Sequence, residues 1–251
     1  MSISPDEALH SLITTLINDL YQNAEVEAPD LHHRITPLGD LVDSLNLASK
    51  ELPGLSQQAA IHHLIQQGIL IENAEEAGQD ELAGFLYAST SYGCLFVEAS
   101  DHLTRRRFSV AHELGHYLLH FLPVLKIAER DQEYLELREA LYRGRNDDPQ
   151  ETVSGRVEKM DQQFLEAYLP PEARMEYEAN QFATELLMPE SVVRGLFTRV
   201  MLRFNDDDLV SYLATEMLVS QEAMRWRLRN FHLLPLPERT FERKGEQDER
   251  I

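Results

Sequence analysis

Apolar positions recur at three-to-four spacing through most of the first 75 residues. Leu9, Leu12, Ile13, Leu16, Ile17 and Leu20 line one face of a predicted helix. A turn at Ala28-Pro29-Asp30 follows. A second helical pattern runs through Leu38, Leu41, Val42 and Leu45, and Pro53-Gly54 breaks it. A third helix is predicted from about Ser56 to Gln67, closed by Gly68. Residues 74–81 are acidic and read as a loop. The period then changes. Leu82 to Ala88 and Cys94 to Val97 are short β-type runs with Ser89 to Gly93 between them, which predicts a hairpin. Ile69-Leu70-Ile71 is a candidate third strand.

Arg107 to His120 returns to the helical period, with Phe108, Ala111, Gly115, Leu118 and Leu119 as its buried stripe. Residues 126–163 are densely charged, with a soft centre at Arg145 to Pro149 and a helical stretch through Leu135, Leu137 and Leu141. They read as an insertion. Met175 to Met188 is a strong helix stopped by Pro189. Leu209 to about Phe231 reads as two helices joined near Val219-Ser220, with Ser220 as the second N-cap, a helix-turn-helix-like pair. The predicted organisation is an N-terminal helical region (1–75), a core (76–200) with the charged insertion at about 124–170, the helix pair (201–235) and a charged tail (236–251).

Composition narrows the choice of partners. The 251 residues include 43 Asp and Glu against 23 Lys and Arg, a net charge of −20. Such a surface has no generic affinity for DNA or anionic lipid. Two basic clusters stand out against it, Arg105-Arg106-Arg107 and Arg225-Trp-Arg-Leu-Arg229. Each has two readings: pairing with surplus carboxylates, or binding an anionic trigger such as nucleic acid. The C-terminal helix pair has three: packing on the core, docking a substrate, or reading DNA. Asp206-Asp207-Asp208 just before it disfavours the last. One cysteine excludes an internal disulfide and suits a reducing cytosol. The first ten residues carry Asp6 and Glu7 and no Lys or Arg, the reverse of a secretory signal. No apolar run reaches the roughly 18 residues of a membrane span. A cytoplasmic protein without a membrane anchor is expected.

The chemistry concentrates at His112-Glu113-Leu114-Gly115-His116, an H-E-x-x-H pattern. On a helix, positions four apart share a face, so both imidazoles can reach one metal ion. Glu113 is rotated by about 100° and can approach a water on that ion without ligating. Two imidazoles, one carboxylate and an open position suit Zn2+. His120 is too far for the third ligand, since His112 and His120 lie about 12 Å apart on a straight helix. It reads as a helix-end residue on the dipole or a carbonyl. Glu176 is the better candidate. It lies four residues before Asn180 on one helix face, so Glu176 can ligate while Asn180 hydrogen-bonds a ligand histidine. Glu178 is the rival, but its spacing points it elsewhere.

Arg107 to His120 followed by Glu176-Tyr-Glu-Ala-Asn-Gln-Phe-Ala-Thr-Glu-Leu-Leu-Met-Pro189 resembles the ImmA/IrrE family of zinc metallopeptidases. The resemblance covers about residues 80–120 and 172–231. It implies an α+β, zincin-like core with a small twisted sheet over the H-E-x-x-H helix and flanking helices. It also implies one Zn2+ per chain, held by His112, His116 and Glu176, with Glu113 as general base. Members are cytosolic regulators that cut helix-turn-helix repressors and so release stress-response, mobile-element or anti-phage defence genes. The gap from His116 to Glu176 is longer than usual for the family. A lid, a partner-docking surface and a solvated insertion without function are all open for it. Tyr92, His102 and Tyr117 are candidates to stabilise an oxyanion. Cys94 begins the strand before the catalytic helix. It is either a buried core residue or an inhibitory fourth zinc ligand that holds the enzyme latent. Two other functions stand beside the peptidase: a protease-like module that sequesters a repressor or toxin without cutting, and a DNA-binding regulator.

Overall fold

Ser4 opens the first helix with a reciprocal cap. Its hydroxyl accepts the Glu7 N–H at 3.2 Å, and the Glu7 carboxylate accepts the Ser4 N–H at 2.9 Å. Helix α1 (Pro5–Ala24) follows and buries Ile13, Leu20 and Tyr21. The computed structural model describes residues 4–71, 74, 77–89, 92–130, 141–145 and 169–235, with 128–130 and 141–145 as backbone only. After α1 come α2 (Leu38–Asp43), β1 (Leu47–Leu52) and α3 (Gln57–Gln66). The hairpin β2 (Gly84–Ala88) and β3 (Gly93–Glu98) leads into α4 (Leu103–His116). A π-helical turn (Tyr117–Phe121) joins α4 to α5 (Leu122–Arg130), and β4 spans Leu141–Arg145. The remaining helices are α6 (Glu172–Leu187), α7 (Glu190–Val200), α8 (Asp206–Met217) and α9 (Gln221–Asn230). Among the described residues no helix is long and apolar enough to cross a membrane.

The sheet is mixed, in the order β1-β3-β2-β4. β1 runs parallel to β3, with Leu47 opposite Gly93. β2 is antiparallel to both β3 and β4, with Gly84 opposite Val97 on one side and Arg145 on the other. Alternation along each strand sends side chains to two separate cores. Leu47, Leu86, Ala88 and Leu95 pack with Ala111 and Leu114 of α4 and with Phe182 and Leu186 of α6. Phe85, Tyr87, Cys94 and Phe96 pack on the opposite face, with Ala60, Ile61 and Leu64 of α3. Each fully buried Leu or Phe contributes about 1.5–3 kcal/mol of transfer free energy. The large core under α4 is therefore what holds the motif helices in place.

The predicted α1, α3, hairpin and motif helices are present, and the fold is mixed α and β. Four expectations need correction. The second helical pattern stops at Asp43, and Leu47–Leu52 is a strand. Its partner is β3, more than forty residues away, so nothing local announces it. Ile69-Leu70-Ile71 is not a strand, and Leu70 is almost fully exposed. The helix after His116 widens into a π-turn, in which Leu122 N–H bonds the Tyr117 carbonyl five residues back. Pro123 explains it. Proline has no N–H to give the carbonyl four residues back, and its ring crowds that carbonyl. The helical reading through Leu141 also fails, since that residue opens β4. Most of the charged insertion, and the tail from 236, lie outside the described residues.

Candidate metal centre

The site forms where α4 crosses α6. Every residue of α4 from Ala111 to His116 is buried, so this helix runs through the core rather than over it. Gly115 and Ala179 set the crossing distance. A Cβ on Gly115 would lie 3.1 Å from Ala179 Cα and 3.2 Å from its carbonyl oxygen. Two small residues at one crossing let the backbones touch, and this brings residue 176 to the histidines.

Three donor atoms converge there. His112 Nε2 and His116 Nε2 are 3.0 Å apart, and Glu176 Oε1 is 3.1 Å from His116 Nε2. Glu176 Oε2 lies 3.5 Å from His112 Nε2. Ligands about 2.0–2.1 Å from a tetrahedral ion are separated by roughly 3.3–3.4 Å, so this spacing fits one Zn2+. Among the described residues these three are the group of His, Cys, Asp and Glu side chains able to hold a metal ion together. Both histidines are fully buried, while the Glu176 side chain is 23% exposed, which leaves the cluster open on one side.

The surrounding residues orient the cluster. Asn180 Oδ1 lies 3.0 Å from His112 Nδ1. Glu113 is buried, and its carboxylate lies against Gly84 of β2. A Cβ at Gly84 would come within 2.6 Å of Glu113 Oε1, so only glycine leaves that carboxylate its position. Thus β2 borders the site at its first residue.

His120 needs correction. It is buried, and its partners are two side chains, not the helix dipole or a carbonyl. Its Nδ1 lies 3.1 Å from His116 Nδ1, and its Nε2 lies 3.0 Å from Glu178 Oε2. Arg174 Nε donates to the other Glu178 oxygen at 2.7 Å. Glu178 is therefore not in the ligand cluster, but it is one histidine removed from it. The spacing in the sequence placed His120 and Glu178 apart from the metal. The signal that connects them is an i,i+4 repeat of histidines facing an i,i+4 Arg-Glu pair.

Cys94 is a second correction. β3 does precede α4, but the Cys94 side chain points to the other sheet face, into the core with Ala60 and Leu64. Burial pushes its thiol up to about 11, which disfavours the thiolate a metal requires. Tyr92 packs on that same face. His102 caps α4, its Nδ1 accepting the Thr104 N–H at 3.4 Å. Tyr117 is buried in the π-turn.

The basic clusters pair within the chain. Arg105 reaches Asp101 at 3.1 Å, Arg106 pairs with Glu51, and Arg107 donates to the Thr36 carbonyl at 3.1 Å. Arg227 is buried, donates twice to the Met188 carbonyl at the end of α6, and pairs with Glu185 at 2.7 Å. Residues of α8 and α9, including Leu213, Met217, Met224 and Leu228, belong to the same core as the motif helices. Between α4, α6 and α9 lies a groove of about 680 Å³ lined by Phe108, Tyr177, Asn180, Met188 and Trp226. One of its lining residues, Asn180, is the hydrogen-bond partner of His112.

An H-E-x-x-H helix crossed by a helix that supplies a carboxylate defines a metallopeptidase-like protein. The model of the peptidase M78 family, described as the IrrE N-terminal-like domain, matches residues 66–142 and 157–229. That is more than half of the chain, and the protein belongs to this family. The break in the match falls inside the charged insertion. None of the curated proteins compared matches the chain.

Proposed function

We propose that the protein is a zinc-dependent endopeptidase with a zincin-like core, which cleaves a helix-turn-helix repressor in the cytoplasm. Cutting would release stress-response, mobile-element or anti-phage defence genes. The convergence of His112 Nε2, His116 Nε2 and Glu176 Oε1 beside a buried Glu113 carries the reading. A zinc ion held by those three residues would polarise the scissile carbonyl and acidify the attacking water. Glu113 does the proton work. Its carboxylate takes the proton of that water and returns it to the leaving amine nitrogen. Gly84 leaves the carboxylate the space it occupies, which a Cβ would take.

Plasma mass spectrometry of the wild type and of Glu176→Ala tests the metal centre. About one zinc per chain is expected in the wild type, and clearly less in the variant. No zinc in the wild type after metal is added back would sink the enzyme. Incubation with repressors encoded beside its gene tests the substrate. Glu113→Gln should abolish cutting while keeping zinc. Stable binding of a repressor by the wild type with no cleavage would instead favour the sequestering module.

A further inference from the structure

A histidine ligates a metal through one ring nitrogen only when the other carries the proton. His112 and His116 both aim Nε2 at the cluster, so each must carry hydrogen on Nδ1. For His112 the requirement is met by Asn180 Oδ1, an acceptor. His116 faces a second imidazole, and an imidazole can donate or accept.

Glu178 resolves the ambiguity. Its Oε1 accepts from Arg174, and its Oε2 faces His120 Nε2 at 3.0 Å as a second acceptor, which places the His120 proton on Nε2. His120 Nδ1 is then a lone pair. It accepts from His116 Nδ1, 3.1 Å away. Arg174 donates to the second oxygen of Glu178 and holds that carboxylate in place. One direction of donation satisfies the whole chain, from His116 through His120 to Glu178. The π-turn belongs to this device. It carries His120 in the buried turn directly after His116, at the level of Glu178 on α6.

We propose that His120 and Glu178 are positioning residues. They fix His116 with its proton on Nδ1 and its Nε2 lone pair toward the cluster, and so set the affinity for metal. The proposal rests on the reading of His112, His116 and Glu176 as a zinc centre. It adds two residues, neither of which ligates.

Two readouts on the full chain test it. The zinc dissociation constant is measured by competition with a chromophoric chelator. The protonated nitrogen of His116 is read from imidazole nitrogen chemical shifts of the metal-free protein. His120→Phe keeps the volume and removes the acceptor. It should weaken zinc binding about 10–100-fold and remove the Nδ1–H preference of His116. His120→Gln, whose amide oxygen can accept from His116, should recover most of the affinity. Glu178→Gln should fall between, because its amide can donate as well as accept. A space-filling role would lower the melting temperature but leave nitrogen shifts and zinc affinity alone. Zinc binding by His120→Phe within about threefold of wild type would overturn the proposal. So would wild-type His116 protonated on Nε2. If His120→Phe does not fold, Glu178→Gln decides by the same affinity criterion. If the wild type takes up no zinc, the metal-centre reading fails by itself. The nitrogen shifts then still show whether His120 and Glu178 orient His116.

Discussion

Two single residues show how close packing decides what a reactive side chain can do. Gly84 is needed for what it lacks. Its missing Cβ would lie 2.6 Å from Glu113 Oε1. Gly84→Ala should therefore displace the carboxylate while leaving the three ligand atoms in place. We expect cleavage of a peptide library to fall about 100-fold, in the range for losing a positioned acid-base group. Zinc content should stay near that of the wild type. Full activity in this variant would mean that Glu113 works from some other position. Cys94 shows the reverse, a reactive atom made inert. Burial lifts its thiol from 9.0 to about 11 in the folded chain. The folded state thus holds the proton more tightly than the unfolded chain. The stability linked to it is complete below about pH 9 and is lost as pH rises toward 11. Urea unfolding at pH 8.5 and 10.5 should show a larger loss for wild type than for Cys94→Ala. That variant should also keep its zinc. An equal loss in both would show that Cys94 does not set the alkaline limit.

At the scale of elements, the crossing of α4 and α6 decides whether there is a site at all. Gly115 faces backbone, not a movable side chain, so Gly115→Ala cannot be absorbed by a rotamer change. The helices must separate by a few tenths of an ångström. We expect a cost of about 1–3 kcal/mol in thermal unfolding, the usual range for overpacking. Zinc affinity should fall as well, because Glu176 sits one turn from the contact. Stability and zinc binding both unchanged would show that the crossing is looser than its distances. These helices were legible in the sequence because their chemistry and their period coincide. The fixed offsets His112-His116 and Glu176-Asn180 each mark one helix face. The rest was illegible for physical reasons. β1 is Leu47-Ala-Ser-Lys-Glu-Leu52, a run that any helix accepts, and only its parallel partner makes it a strand. The π-turn depends on Pro123, whose effect falls on carbonyls in the turn before it. The link from His120 to Glu178 spans two helices, and neither offset reveals a contact between helices. The far-face position of Cys94 follows from strand parity. It became readable only once Leu95 was seen on the α4 side.

The whole molecule makes the family match look shorter than the folding unit. The match begins at residue 66. Yet Ile13, Leu20, Leu41, Val42 and Leu47 belong to the same continuous core as Leu114 and Phe182. Thr36 ties this N-terminal part to both motif helices. Its hydroxyl donates to the Leu186 carbonyl at 2.7 Å, and its own carbonyl accepts from Arg107. Arg34 pairs with Glu216 on α8. Without these residues, β3 would lose its parallel neighbour and present an unpaired edge. The inner faces of α4 and α6 would meet water. Five such side chains at about 1.5–3 kcal/mol each are comparable to the roughly 5–15 kcal/mol net stability of a typical domain. A chain that starts at residue 66 should therefore fail to fold on its own. Circular dichroism of that chain should show no cooperative melt, and an apolar dye should bind where the full chain leaves it dark. A cooperative transition within about 5 °C of the 251-residue chain would show the opposite. The N-terminal residues would then be a cover laid over a finished peptidase core, and the core could be cut free of them.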